Sequence, residues 1–372
     1  MKIYMNEYHH HFIVLKKEKE LKVVNQEGMV FVEDFCSKLD QATAHLLSCA
    51  EMIIVTGVFS SFQILRRLPK RILSKTYLHF WGAEFYGWAE NQGKRSIKEN
   101  LRFQIRKKCF KRCAGYIFLI DGEYENFQKI FGIKKRHFIA PMPDDPCKDY
   151  KLADFRKKRN ENCVKVLVGN SATESNQHME VIDWLQCYRS HSIQIYMPLS
   201  YGEDTYREIV IQYAQKKLGN RFFPILHYMD GKDYMEFVSQ MDIGIFNNNR
   251  QQAMGNIQMC LGLGKKVFLR EDTSMWKRYL KDGYMIFPIR NIDDMDYEAF
   301  RAVPSEMKEK NSSIYDEKES YLKEKSLWET TIKNILGGGV TSSTKINFSG
   351  NAAGFSKLYP IQPQDCYGGA AA

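Results

Sequence analysis

Cysteine is scarce and unpaired in pattern. Nine cysteines in 372 residues is an odd number, and no Cys-x-x-Cys pair occurs. That excludes a disulfide scaffold and argues against a structural zinc site, so the cysteines read as mostly reduced, buried thiols of a cytosolic protein. No run approaches the ~18 uninterrupted apolar residues of a membrane-crossing helix. Residues 1–22 lack an apolar stretch long enough for an export signal. The Gly-x-Gly-x-x-Gly, P-loop, Gly-x-Ser-x-Gly, His-Glu-x-x-His and kinase signatures are missing, which removes the enzyme classes they mark. Metal-bridged sugar-nucleotide chemistry of the Asp-x-Asp type is not expected. The run His9-His10-His11 has no second ligand cluster and reads as incidental, with no metal site assigned.

What the chain has is ordinary globular material: 44% hydrophobic and 26% charged residues. Such a length suggests two domains and a core that needs no staple. The formal net charge of +10 calls for an anionic partner: nucleic acid, phosphorylated ligand or membrane surface.

Short apolar, β-branched runs alternate with helical patterns. Strands are predicted at 52–56, 77–80, 116–120 and 137–140, with a long basic helix over 96–113 and a short one over 123–131. Pro141, Pro143 and Pro146 then break the pattern, because none can sit inside a helix or central strand. Strands restart at 164–168, 193–197, 222–226, 243–246, 266–269 and 285–288. Helices are expected between them at 176–189, 205–218, 231–240, 254–263 and 274–281. This is the pattern of parallel sheets covered on both faces. The expected fold is α/β with two Rossmann-like, doubly wound halves facing a central cleft. The expected divisions are 1–145, 160–304, a helical segment over 305–336 that braces the halves, and a low-complexity, disordered tail over 337–372. In such sheets ligands bind at the carboxyl ends of the strands.

Four stretches carry possible chemistry. Gly169, Asn170 and Ser171, with Ser175 and Asn176, follow a strand and precede a helix. Small polar residues there let backbone amides approach an anion, although Asn176 is equally a helix N-cap. Asn247, Asn248, Asn249, Arg250, Gln251 and Gln252 also follow a strand, then Gly255 and Asn256 open a helix. Arg250 and the helix start suit a diphosphate; a polar capping loop is the alternative. In the first half, His79 and Glu84 flank Trp81-Gly82 in an aromatic turn, either as a base beside a sugar or as parts of a core turn. Finally, residues 94–112 hold nine basic residues and one acid, most of the chain's excess charge. Ile97, Leu101, Ile105 and Cys109 fall at i, i+4 spacing along it. That fits an amphipathic helix on an anionic membrane or under a lipid diphosphate, with a solvated helix face as the alternative. No nucleic-acid signature accompanies the charge, so no nucleic-acid partner is expected.

Three of these stretches together resemble the TDP-N-acetylfucosamine:lipid II N-acetylfucosaminyltransferase family of enterobacterial common antigen assembly. They are Lys75-Thr76-Tyr77-Leu78-His79-Phe80-Trp81-Gly82-Ala83-Glu84-Phe85-Tyr86, then Val166 to Ser171 with Ser175-Asn176-Gln177-His178, then Phe246 through Arg250-Gln251-Gln252-Ala253-Met254-Gly255. The likeness runs over residues 52–290, and the stretch before Met52 matches poorly. Glu84 stands where the family pattern has Asp.

The resemblance implies a GT-B glycosyltransferase of bacterial surface polysaccharide synthesis. It implies a nucleoside-diphosphate sugar donor, dTDP favoured, and an undecaprenyl-diphosphate-linked saccharide acceptor. It places the enzyme peripherally on the inner face of the cytoplasmic membrane, without a metal or other cofactor. On that reading the donor contacts are Gly169, Asn170, Ser171, Ser175, Asn176, Asn247, Asn248, Arg250, Gln251, Gln252, Gly255 and Asn256, with Tyr201, Tyr228 and Met229 beside the base. Arg250 stabilises the leaving group, and Glu84 or His79 serves as base. Arg102, Arg106, Lys107, Lys108, Lys111 and Arg112 meet the membrane or lipid diphosphate. A sugar-nucleotide epimerase and a non-catalytic nucleic-acid-binding protein are the alternatives.

Overall fold

In the computed structural model the described residues are 9–15, 29–32, 41–59, 62–89, 95–142, 152–156, 163–318, 321–337 and 344–349. They form two compact units.

The first unit opens with β1 (His9–Leu15), β2 (Met29–Val32), α1 (Gln41–Cys49) and β3 (Ile53–Thr56). Two single-turn helices, α2 (Phe62–Leu65) and α3 (Lys70–Leu73), lead to β4 (Thr76–Phe80) and α4 (Ala83–Tyr86). Then come α5 (Ile97–Arg112), β5 (Gly115–Phe118), α6 (Glu123–Phe131) and β6 (His137–Ile139). Every residue of β3, β4 and β5 is buried. Such strands need helices on both faces, which is why their sequences are apolar runs rather than alternations. The basic helix α5 starts where the sequence predicts. Ser96 accepts a bond from the Glu99 amide at 3.3 Å, and the Glu99 carboxylate accepts one from the Ser96 amide at 2.7 Å, a reciprocal cap.

The second unit contains β7 (Val164–Val168), α7 (His178–Leu185), β8 (Ile193–Pro198), α8 (Asp204–Leu218) and β9 (Phe222–Ile225). It continues with α9 (Gly231–Ser239), β10 (Ile243–Phe246), α10 (Met254–Gly262), β11 (Lys266–Leu269) and α11 (Ser274–Lys281). It ends with β12 (Phe287–Pro288), α12 (Tyr297–Arg301) and α13 (Ser305–Lys318). Its six parallel strands are ordered β12-β11-β10-β7-β8-β9. The chain therefore winds outward from β7 to β9, then returns to the other side of β7 at β10. That reversal puts the topological switch point between β7 and β10, where open parallel sheets bind ligands.

The segment over 305–336, expected as one helical piece, is two helices. The α13 helix holds the second unit through Asn311, whose side chain bonds both backbone groups of Met285. The chain then returns to the first unit as α14 (Tyr321–Leu336), whose Trp328 is buried and donates to the Pro141 carbonyl at 3.1 Å. The tail, read as lacking regular structure, contributes β13 (Thr344–Ser349), which pairs in parallel with β1 and β3. With it the first sheet is ordered β2-β1-β13-β3-β4-β5-β6. The cysteines are not uniformly buried: Cys49 and Cys187 are exposed, while Cys109, Cys113 and Cys260 are inside. Among the described residues no helix is long and apolar enough to cross a membrane.

Candidate active site

The two polar stretches of the second unit leave adjacent strands. Ile245 of β10 pairs with Val168 of β7, and the Gly169 amide donates to the Ile245 carbonyl at 2.9 Å. Gly169-Asn170 and Asn247-Asn248 therefore emerge side by side at the switch point.

Gly169 turns the chain with a φ of +67°. A Cβ there would stand 2.7 Å from Asn176 Oδ1 and 2.9 Å from His178 Nε2, so glycine is required sterically as well as conformationally. Asn176 is the hub. Its Oδ1 accepts from the Asn170 amide at 3.0 Å and from Asn248 Nδ2 at 3.1 Å. Its Nδ2 donates to Thr173 Oγ1 at 2.9 Å and Ser171 Oγ at 3.2 Å. Gln252 closes the ring: its Nε2 donates to Ser171 Oγ at 3.1 Å and its Oε1 accepts from Ser175 Oγ at 2.5 Å. Asn249 adds a backbone bond to the Ser175 carbonyl at 2.9 Å. The helix cap weighed for Asn176 is not its role: α7 begins two residues later, after Gln177 at a φ of 49°. These bonds tie the two loops into one shape, while Asn170 Oδ1 and Asn248 Oδ1 stay buried without a partner among the described residues.

A third loop joins from β8. Asn170 Nδ2 donates to the Tyr201 hydroxyl at 2.7 Å, and the Ala172 amide to the Tyr201 carbonyl at 2.7 Å. Gly202 permits this, since a Cβ would lie 2.3 Å from the Ala172 carbonyl oxygen. Burial raises the Tyr201 phenol's pKa, and hydrogen bonding with the Asn170 and Ser171 side chains opposes the rise. Tyr228 is 48% exposed and Met229 half-buried.

Arg250 is half-buried, with Nη1 3.5 Å from the Gln251 carbonyl, and among the described residues no carboxylate pairs with it. Just beyond it α10 begins at Met254, preceded by Ala253, whose φ is 57° and whose side chain supplies no cap. Gly255 is exposed and a Cβ there would meet nothing within 4 Å. An uncapped helix start beside an arginine without a carboxylate partner is an anion-binding arrangement. Asn256 is half-buried in the same turn.

Thr173, His178 and Gly202 also build the site; Thr173 and His178 lie within the first polar stretch without being singled out as contacts, and Gly202 is outside every candidate stretch. His178 is fully buried, with Nδ1 3.2 Å from the Tyr206 hydroxyl and Nε2 unpartnered among the described residues. Burial pushes its imidazole down to about 3, so it is neutral at physiological pH. His178 is the first residue of α7, and a lone histidine at a helix start is a cue too common to select it.

The first unit corrects several expectations. Glu84 is 4% exposed. Its carboxylate accepts from the Trp81 amide through both oxygens, at 3.1 Å each, and from the Val58 amide at 3.1 Å. Burial raises its pKa against those bonds. Glu84 is thus a positioning residue that ties the β3 and β4 turns together, not a base open to an acceptor. His79 is also fully buried, with its ring edge-on to Trp328 at 5.3 Å and Nε2 3.3 Å from the Ala140 carbonyl. Burial lowers it to about 4. It faces the packed layer under α14 rather than the turn, so it too is not placed as the base.

Along α5, Arg106 is turned inward, 3.4 Å from the Val58 carbonyl and 4.2 Å from the Phe62 ring. Burial lowers its guanidinium to about 10, opposed by the nearby Glu84 charge. It therefore belongs to the fold rather than to a lipid surface. Lys108 and Lys111 are exposed, and Arg102, Lys107 and Arg112 half-buried. Cys109 is buried, apart from the exposed Ile97, Leu101 and Ile105 with which its spacing groups it.

Among the described residues no group of three His, Cys, Asp or Glu side chains is arranged to hold a metal ion. The chain does contain one Asp-x-Asp tripeptide, Asp294-Met295-Asp296, which the sequence reading passed over. Asp296 caps α12 by accepting from the Ala299 amide at 2.7 Å.

A family model described as 4-alpha-L-fucosyltransferase glycosyl transferase group 56 matches residues 2–315. The likeness thus extends well before Met52, where the sequence comparison found little. Among solved structures, the chain is similar to WaaG, a glycosyltransferase involved in lipopolysaccharide biosynthesis. The TM-score is 0.56 at 12% identity, covering 88% of this chain and 100% of that one. A glycosyltransferase from Rickettsia africae ESF-5 gives 0.56 at 11%, covering 89% and 100%. The apo structure of OtsA gives 0.59 at 9%, covering 91% and 94%. At these identities the likeness speaks for the fold, which is GT-B.

Proposed function

The chain belongs to the 4-alpha-L-fucosyltransferase glycosyl transferase group 56 family and is a glycosyltransferase; from that premise we propose what it transfers, and to what. The donor is a nucleoside-diphosphate sugar, dTDP favoured, with an N-acetylfucosamine-like sugar. The acceptor is a saccharide linked to undecaprenyl diphosphate, and the enzyme works peripherally on the inner face of the cytoplasmic membrane.

The observation that carries this reading is the union of two loops at the β7/β10 switch point, beside Arg250 and the uncapped start of α10. The donor diphosphate lies on Gly169-Asn170-Ser171, Arg250 and the amides of Gly255 and Asn256, with Tyr201, Tyr228 and Met229 near the base. As the acceptor hydroxyl attacks the anomeric carbon, the bond from that carbon to the β-phosphate oxygen breaks. Negative charge then grows on the departing diphosphate. Arg250 and the α10 dipole stabilise it where it grows, which lowers the barrier rather than only tightening binding. The required positive groups come from the chain itself, in keeping with a reaction without a metal cofactor.

The test is transfer from dTDP-N-acetylfucosamine to undecaprenyl-diphosphate-linked acceptor in detergent with EDTA, read by mass of the lipid product. Product formation supports the proposal. Donor turnover without any acceptor would instead identify an epimerase.

A further inference from the structure

The outward face of α5 holds apolar side chains that the fold does not use. Ile97 is 91% exposed, Leu101 62% and Ile105 39%. Spaced four apart, they form one stripe along the helix. The opposite side of α5 supplies the core contacts through Phe103, Cys109 and Phe110. Single exposed aliphatics are ordinary, but three on successive turns of one helix face form a patch. The same face continues as cations. Lys108 extends the stripe and is exposed, as are Lys98 and Lys111 beside it.

We propose that this face docks the enzyme on an anionic bilayer. Ile97, Leu101 and Ile105 enter the boundary between headgroups and acyl chains, while Lys98, Lys108 and Lys111 meet lipid phosphates. The inference rests on the reading above that the acceptor is carried in a membrane, and it names the surface that reaches it. Three features favour a bilayer over another partner. The stripe carries aliphatic rather than aromatic residues, so it offers no stacking platform for nucleic-acid bases. Its charge is complementary to anionic headgroups, and lysine stems can lie along apolar surface while their ammonium groups stay in water. A helix of sixteen residues is about 24 Å long, enough to lie in the interface plane.

The experiment is cosedimentation of the full chain with phosphatidylcholine vesicles and with vesicles containing about one third phosphatidylglycerol, at low and high salt. Wild-type protein is expected on the anionic vesicles. I97S/L101S/I105S should weaken partitioning by at least ~100-fold at either salt. K98A/K108A/K111A should weaken it about fivefold per lysine at low salt and flatten the salt dependence. I209S/L280S, which alters exposed aliphatics of the second unit, should bind like wild type. All these variants should keep the wild-type melting temperature and the thermal shift with dTDP, because none touches the core or the donor loops. Wild-type binding by the triple serine variant would overturn the proposal. So would failure of the wild type to sediment with anionic vesicles, or tight RNA binding in its place. Loss of the dTDP shift in wild-type protein would count against the donor reading alone, since the vesicle data still decide the docking face.

Discussion

Gly169→Ala is the substitution whose cost the structure specifies most closely. At a φ of +67° an L-residue pays roughly 1–2 kcal/mol. The new methyl would also lie 2.7 Å from Asn176 Oδ1 and 2.9 Å from His178 Nε2. Both neighbours are buried, and Asn176 is held by the Asn170 amide and by Asn248, so neither yields freely. Displacing Asn176 leaves a buried amide without its partner, which costs about 1–3 kcal/mol. The sum is about 2–5 kcal/mol, or a melting temperature lower by roughly 4–20 °C for a unit of this size. The control is Gly255→Ala, where a Cβ meets nothing within 4 Å inside a helix. It should leave stability unchanged or slightly raised, yet weaken dTDP binding, because the methyl would stand at the exposed start of α10. Differential scanning calorimetry with calorimetric titration of dTDP reads both. A G169A protein melting within about 2 °C of wild type would refute the packing argument.

Arg250→Ala should lower kcat by about 10²-fold or more with the protein fully folded; near-normal turnover would remove Arg250 from leaving-group stabilisation. Glu84→Gln turns an amide N–H₂ toward the Trp81 or Val58 amide and should destabilise the first unit by about 1–3 kcal/mol. Lost activity in an E84Q protein of unchanged stability would restore the carboxylate as a base. The two buried histidines predict acid sensitivity. Their folded pKa values, about 3 for His178 and about 4 for His79, lie below the ordinary 6.5, so the unfolded chain takes up the protons. Their contribution to stability is therefore complete above pH 6.5 and lost as pH falls toward 3 and 4. Each should add up to ~1.4 kcal/mol per pH unit to that decline. Urea midpoints between pH 7 and 5 should fall, and a H79N/H178N variant that still folds should show a shallower slope.

The core strands were legible because burial on both faces leaves an unmixed apolar signature, as in 243–246 and 266–269, whose boundaries the structure reproduces. One side of the first sheet was not. β1 opens on three histidines and β13 lies in the stretch read as a tail, so neither offered a strand signal, whereas the edge strands β6, β9 and β12 fall within predicted strands. The two switch-point loops were legible as polar stretches that follow strands, but their wiring was not. Nothing in the order Gly169 to Asn176 says that Asn176 serves the loop rather than α7, because that choice depends on Asn248 and Gln252, far away in sequence. Glu84 shows the converse. A lone carboxylate in an aromatic turn reads as a base until the amides of Trp81 and Val58 are seen to occupy it. Arg106 belongs with it: charge patterning marks a basic helix but not which cation points inward.

The central claim is that the second unit binds a nucleoside diphosphate through Arg250 and the α10 start. Calorimetric titration of wild-type and R250A protein with dTDP, UDP, GDP and CMP in EDTA tests it most directly. The account predicts saturable binding of a nucleoside diphosphate, dTDP foremost, that survives EDTA and weakens at least about tenfold in R250A. No binding of any of them by cooperatively folded wild-type protein, or equal affinity in R250A, would contradict it.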